Sequence, residues 1–128
     1  MPIGYELIGE EVDRDSVSCS SWPEAAFAID ELAALNHSLK KDTIENAKRL
    51  VTFAKTRCVA PNEIGVGYWP TIRVIWSEFS IEVVALWDRY EFYHYFQGST
   101  DIEEIDLLKD GFPDELKMLL DGALPILS

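Results

Sequence analysis

Residues 72–97 read IRVIWSEFSIEVVALWDRYEFYHYFQ, and the reading of this stretch decides the fold. Branched and aromatic residues dominate it, with polar breaks at Phe79-Ser80 and Asp88-Arg89. Ile72 to Phe79, Ile81 to Asp88 and Tyr90 to Gln97 therefore read as three strands of an antiparallel meander. Two-residue connections at the breaks put Ile72, Val74, Trp76, Ile81, Val83, Ala85, Trp87, Tyr90, Phe92, His94 and Phe96 on one almost wholly apolar face. That face is the bed for helices. The other face carries Arg73, Ile75, Ser77, Glu82, Val84, Leu86, Glu91, Tyr93, Tyr95 and Gln97. This register aligns Ile75, Val84 and Tyr93 across the strands, with Tyr95 opposite Glu82 and Leu86 opposite Glu91.

A merely solvated face is more polar than this second one, and aromatic and aliphatic residues framed by charges resemble an interface. Two occupants fit it. One is this chain's own N-terminal segment or C-terminal helices, in a three-layer domain; the other is a partner or a second copy. Neither break holds the Gly or Asn of primed hairpin turns, and a one-residue slip would exchange the faces.

Working outward, Asn62 to Pro70, with Gly65 and Gly67, is a fourth short strand or a loop. Before it lie two helices. Ser21 and Glu24 form a capping box with Pro23 in the first turn, and Ala25, Ala28, Ile29, Leu32 and Leu35 make the apolar stripe of the first helix, which ends at Asn36-His37-Ser38. Asp42 and Glu45 form a second capping pair ahead of Ile44, Ala47, Val51, Ala54 and Cys58, and Pro61 stops that helix. Lys41, Lys48, Arg49 and Lys55 give it a basic exposed face. Ile3 to Ile8 reads as a short strand, Glu10 to Asp15 as an acidic turn and Ser16 to Ser21 as a loop. Towards the C-terminus, Thr100 and Glu103 form a third capping pair before Ile102, Ile105 and Leu108, predicting a helix that ends at Gly111. Pro113 opens another short one with Leu116, Leu119 and Leu120, before Gly122. The expectation is one α+β domain over residues 1–128: N-terminal helices packed on a three- to four-stranded antiparallel meander, with short C-terminal helices.

The net charge of −12 is uneven. Residues 1–24 carry −5, residues 25–98 only −1, and residues 99–128 carry −6. Such a chain repels phosphate backbones at long range and attracts basic partners, although acidity also serves solubility. The start, Met1-Pro2-Ile3-Gly4-Tyr5-Glu6, lacks a secretory pattern, and no apolar run nears the roughly 20 residues of a membrane span. The expected location is cytoplasmic, with Cys19 and Cys58 reduced.

Motifs of chemistry are absent. His37 and His94 fall in no spaced ligand motif, and His94 on the apolar face reads as a satisfied core residue. There is no G-x-S-x-G elbow, and Gly65-Val66-Gly67 fits neither a dinucleotide fingerprint nor a P-loop. Glu78, Glu82 and Glu91 lie in or near the sheet, but a chain this acidic supplies carboxylate pairs by chance. Exposed sheet aromatics suit single-stranded nucleic acids, yet the surrounding charge has the wrong sign.

The run Pro61-Asn62-Glu63-Ile64, then Tyr68-Trp69-Pro70-Thr71-Ile72-Arg73-Val74-Ile75-Trp76, continues into Ile81-Glu82-Val83 and Asp88-Arg89-Tyr90-Glu91-Phe92-Tyr93. Over residues 42–98 this resembles small uncharacterised bacterial proteins in which a helix leads through a Pro-containing segment into a Trp-bearing antiparallel meander. The resemblance implies an α+β fold and no catalytic residue. The expected function is that of a non-enzymatic acidic interaction protein binding a basic protein, without a cofactor or metal: an adaptor, an antitoxin or immunity-like inhibitor, or an anti-defence mimic of nucleic-acid charge. Ile75, Val84, Tyr93 and Tyr95 are its expected contacts, Glu82 and Glu91 its rim, and Asp101, Glu103, Glu104 and Asp106 its steering charges. The alternatives are a homodimer through the same face, or a small-molecule-binding domain or enzyme using the region of Trp69, Trp76 and Trp87.

Overall fold

The computed structural model describes residues 16–67, 71–96, 99–106 and 113–124. In chain order these form β1 (Ser16–Ser18), α1 (Trp22–Leu35), α2 (Lys41–Ala54), β2 (Glu63–Val66), β3 (Ile72–Trp76), a 3-10 turn (Ser77–Phe79), β4 (Ile81–Ala85), β5 (Arg89–Phe96), β6 (Ser99–Asp106) and α3 (Asp114–Ala123). The strands make one sheet in the order β1-β2-β3-β4-β5-β6, with every neighbouring pair antiparallel. The chain is α+β, with six strands among the described residues where three or four were expected. Ser16–Ser18 is a strand, outermost on its side of the sheet among the described residues, not a loop. Ser99–Asp106 is a strand, not a helix: it pairs with β5 along its full length, and that pairing overrides the local capping signal of Thr100 and Glu103. The expected strand at Ile3 to Ile8, and the segment from Leu108 to Gly111, lie outside the described residues.

Local chemistry sets the helix ends. The Glu24 amide donates to Ser21 Oγ at 3.3 Å, while the Glu24 carboxylate accepts from the Ser20 amide at 2.8 Å, one residue before the cap. Asn36 closes α1 by donating its amide and its Nδ2 to the Leu32 carbonyl. In α2 the cap position falls on Lys40 and has no side-chain cap bond, so Asp42 acts from inside the first turn on the helix dipole. The helix ends at Ala54, before Cys58 and Pro61; the Cys58 amide still reaches the Ala54 carbonyl at 2.7 Å. Beyond the expected stripe, α2 also buries Thr43, Asn46 and Leu50.

One apolar cluster joins the inner sheet face to all three helices, taking Ile29 and Leu32 from α1, Leu50 from α2, and Leu116 and Leu120 from α3. Trp76 is its centre: fully buried, it meets Trp22 edge-on at 6.3 Å and donates its indole N–H to the Val59 carbonyl at 2.7 Å. Trp22 donates to the neighbouring Cys58 carbonyl at 3.0 Å. Cys19 and Cys58 are buried free thiols, and burial pushes each up to about 11. Trp87, expected in the core, is 52% exposed at the β4–β5 turn, with Lys40 Nζ 4.9 Å from its ring centroid. His94 is half-buried beside Phe92. No helix among the described residues is long and apolar enough to cross a membrane.

Buried Asn46 ties α2 to the β4–β5 turn, donating Nδ2 to the Leu86 carbonyl at 2.8 Å and the Trp87 carbonyl at 3.3 Å. Tyr90 closes the same joint by donating its hydroxyl to the Asn46 carbonyl at 2.7 Å. Asn46→Ala should cost about 1–3 kcal/mol, the usual penalty when a buried polar partner is lost. A urea melt of the variant is expected to show a lower midpoint at unchanged slope.

Candidate functional site

The sheet face turned away from the helices is built from alternate residues of β2 to β6. Pairing sets Glu63, Ile75, Glu82, Tyr93 and Ile102 in one row across the strands, and Gly65, Arg73, Val84, Glu91 and Glu104 in the next. All six expected contact and rim residues, Ile75, Glu82, Val84, Glu91, Tyr93 and Tyr95, fall on this face. The expected alignment of Ile75 with Val84 and Tyr93 is corrected by two residues at each hairpin. The first connection spans Ser77 to Ser80, where Ser80 takes the left-handed conformation (φ 57°). The second turns at Trp87-Asp88, with the Leu86 amide donating to the Arg89 carbonyl at 2.9 Å. The first hairpin thus takes a four-residue connection where two residues were expected, while the second keeps a two-residue turn one position earlier. A displacement of two keeps each side chain on its own face.

The centre of the face is a depression of about 420 Å³, bordered by Arg73, Glu82, Arg89, Glu91, Tyr93 and Tyr95, with Val84 and Leu86 among the residues between them. Val84 is 8% exposed and Glu82 7%, although Val84 stands outside the helix-side cluster. Glu82 accepts two hydrogen bonds from the Arg73 guanidinium, at 2.5 and 3.0 Å, and one from the Tyr95 hydroxyl at 3.3 Å. The bond to Glu82 holds Arg73 still more firmly protonated, and burial followed by the Glu82 charge pushes Tyr95 up. Glu91 accepts from Arg89 and from the Tyr93 hydroxyl, the latter at 2.9 Å. Burial and then that hydrogen bond push the Tyr93 phenol up to about 12. The Tyr93 and Tyr95 rings stack at 6.1 Å, with planes 20° apart. At the far border Gly67 donates to the Thr71 carbonyl at 3.0 Å, and a Cβ there would run into Thr71 Oγ1.

Ile75 lies on the face but outside the depression, opposite Glu63 and Glu82. Arg73 and Arg89 were not among the expected site residues, yet each neutralises an acid that was. The signal for Arg73 was its place on the same face as Glu82, one hairpin away. The steering acids Asp101, Glu103, Glu104 and Asp106 occupy β6, all exposed, and none belongs to an ion pair among the described residues. Glu91 and Glu104 stand directly opposite each other, with the charge of the Arg89 guanidinium acting on both. Among the described residues no group of three or more His, Cys, Asp or Glu could hold a metal ion.

Comparison with known families, curated proteins and solved structures found no match.

Glu82 is the more deeply placed member of its ion pair, so removing Arg73 strands a carboxylate while removing Glu82 leaves a cation already 39% exposed. Arg73→Ala should therefore destabilise more than Glu82→Ala. The cost is about 2 kcal/mol, below the roughly 3–5 of a fully buried pair because the guanidinium is partly solvated. Paired denaturation curves give the order. For Tyr93, a folded-state pKa raised above the unfolded value of about 10 contributes stability below that pH, lost as pH rises through about 12. Glu91→Gln should lower the Tyr93 transition, read as the ultraviolet titration difference between each protein and its Tyr93→Phe counterpart.

Proposed function

We propose that the chain is a non-enzymatic acidic interaction protein that binds a basic protein partner through the outer sheet face and the adjoining β6. The observation that carries this reading is the distribution of charge on that surface. Within the depression, acids are matched: Glu82 by Arg73, and Glu91 by Arg89. Next to it on β6, Glu104 and Asp106 share the face of Ile102, which is 54% exposed and paired with Tyr93, while Asp101 and Glu103 project on the other face; all four acids are exposed and outside any ion pair of the described residues. A lysine or arginine placed against Tyr93, Ile102 and Glu104 would gain an aromatic face for its cation and apolar contact for its stem, and would add a second cation beside the two acids that Arg89 already serves. The acidic surroundings also speed encounter with a basic protein and disfavour nucleic acid. An adaptor, an inhibitor of a basic toxin or enzyme, and a mimic of nucleic-acid charge all use such a surface.

The size of the depression favours a second reading, a small-ligand site, since pockets for such ligands begin at roughly 300 Å³. The two differ in their dependence on β6, because a small ligand held by Arg73, Tyr93 and Tyr95 has no need of its acids.

The test is affinity capture from a lysate of the source cells at low and high salt, with Val84→Glu as the comparison. The expected result is one stoichiometric basic partner, weakened by salt and lost with Val84→Glu. Capture by a folded Val84→Glu protein equal to that of the parent would reject the face as the contact surface.

A further inference from the structure

β6 is the last strand of the sheet among the described residues, and seven of its eight residues are exposed; only Ile105 is buried. The hydrogen-bond pattern fixes which of its backbone groups point outward. In β5 the Tyr95 amide donates to the Ser80 carbonyl and the Arg89 carbonyl accepts from the Leu86 amide, so alternate residues from Arg89 to Tyr95 face β4. Tyr90, Phe92, His94 and Phe96 then face β6, where their partners are Ile105, Glu103, Asp101 and Ser99. Thr100, Ile102, Glu104 and Asp106 consequently turn their N–H and C=O groups away from β5.

This edge is eight residues long, has no proline and shows no bulge in its pairing with β5. Among the described residues, its protection against promiscuous pairing is charge alone. Glu104 and Asp106 project on the outer face, while Asp101 and Glu103 project on the helix side. A second copy of β6 would bring acids against acids on both faces, and an apolar strand would desolvate them without compensation. We infer that β6 receives an extended basic segment of a partner protein as an added strand, with basic side chains beside the acids of both faces and an apolar one beside Ile102. The inference rests on the basic-partner reading above and specifies its mode: main-chain hydrogen bonds supply the attachment, and the acids select the sequence.

The probe is a synthetic peptide of four Lys and four Val matching the eight residues of β6, with Lys opposite Asp101, Glu103, Glu104 and Asp106 and Val at the remaining four positions, including that of Ile102. Two forms N-methylated on alternate residues, one in each phase, and a peptide alternating Lys and Pro keep the charge but remove strand hydrogen bonding. The Lys-Val peptide is expected to bind, more weakly as salt rises, and to slow amide exchange at Thr100, Ile102 and Glu104. N-methylation in one phase should weaken it at least about tenfold, the equivalent of one or two net hydrogen bonds. The Glu103→Lys/Glu104→Lys protein should lose binding by a similar factor. Equal binding of the Lys-Pro peptide, or unchanged exchange at those amides when the parent protein is saturated with the Lys-Val peptide, would overturn strand addition. No binding of the Lys-Val peptide at low salt would overturn it too. In each case, a basic cellular partner lost with Val84→Glu would leave the face reading standing alone.

Discussion

The structure hangs on Trp76. A tryptophan buried completely must find an acceptor for its indole N–H or carry the penalty of an unmet donor. Here the acceptor is the Val59 carbonyl, just past α2, and Trp22 at the start of α1 takes the adjacent Cys58 carbonyl. Two indoles from distant parts of the chain thus grip two successive peptide groups. The result fixes where the helical pair leaves off relative to β3, and from β3 the remaining strands take their places by pairing. Asn46 and Tyr90 repeat the device at the other hairpin, joining α2 to the β4–β5 turn. Because all three helices serve the same apolar cluster, the opposite face is left to chemistry of its own.

On that face the sheet resolves an internal conflict by geometry. Glu82 is nearly as enclosed as a core residue, which a lone carboxylate does not tolerate, and a two-point guanidinium bond with a tyrosine hydroxyl answers the demand. Each arginine of the depression is spent on an acid already present, so the surface gains order there but not net charge. Toward β6, none of the acids belongs to an ion pair among the described residues. The change from a neutralised interior to an acidic margin occurs within one strand spacing, and it gives the surface a direction.

Much of this was legible in the sequence, and the omissions have physical causes. The strands β3 and β5 announce themselves because each buries one face more than the other, so their residues alternate, and β4 because all five of its residues are buried and it reads as a branched apolar run broken only by Glu82. The six expected contact residues lie on one face for that reason, and their cross-strand partners were misjudged only because turn geometry, not pattern, sets register. β6 is the opposite case. With a single buried residue, Ile105, it has no alternation to detect, while Ile102 and Ile105 imitate the spacing of a helix. β1 has three residues, too few to carry a pattern. Arg73 was visible as a charge and invisible as a partner, since its role appears only when two strands are laid side by side.

The two hairpins also say something about how this fold tolerates change. Both registers differ from the simplest reading by an even number of residues, and an even displacement preserves which side chains meet the helices. The sequence therefore encodes parity more strongly than address. Over evolutionary time, lengthening or shortening the Ser77–Ser80 connection by two residues would re-pair β3 and β4 yet keep Val74 and Val83 inside. A single-residue insertion carried into the strand would turn Arg73 or Glu82 into the core. Length variation among relatives of this sheet should come in pairs.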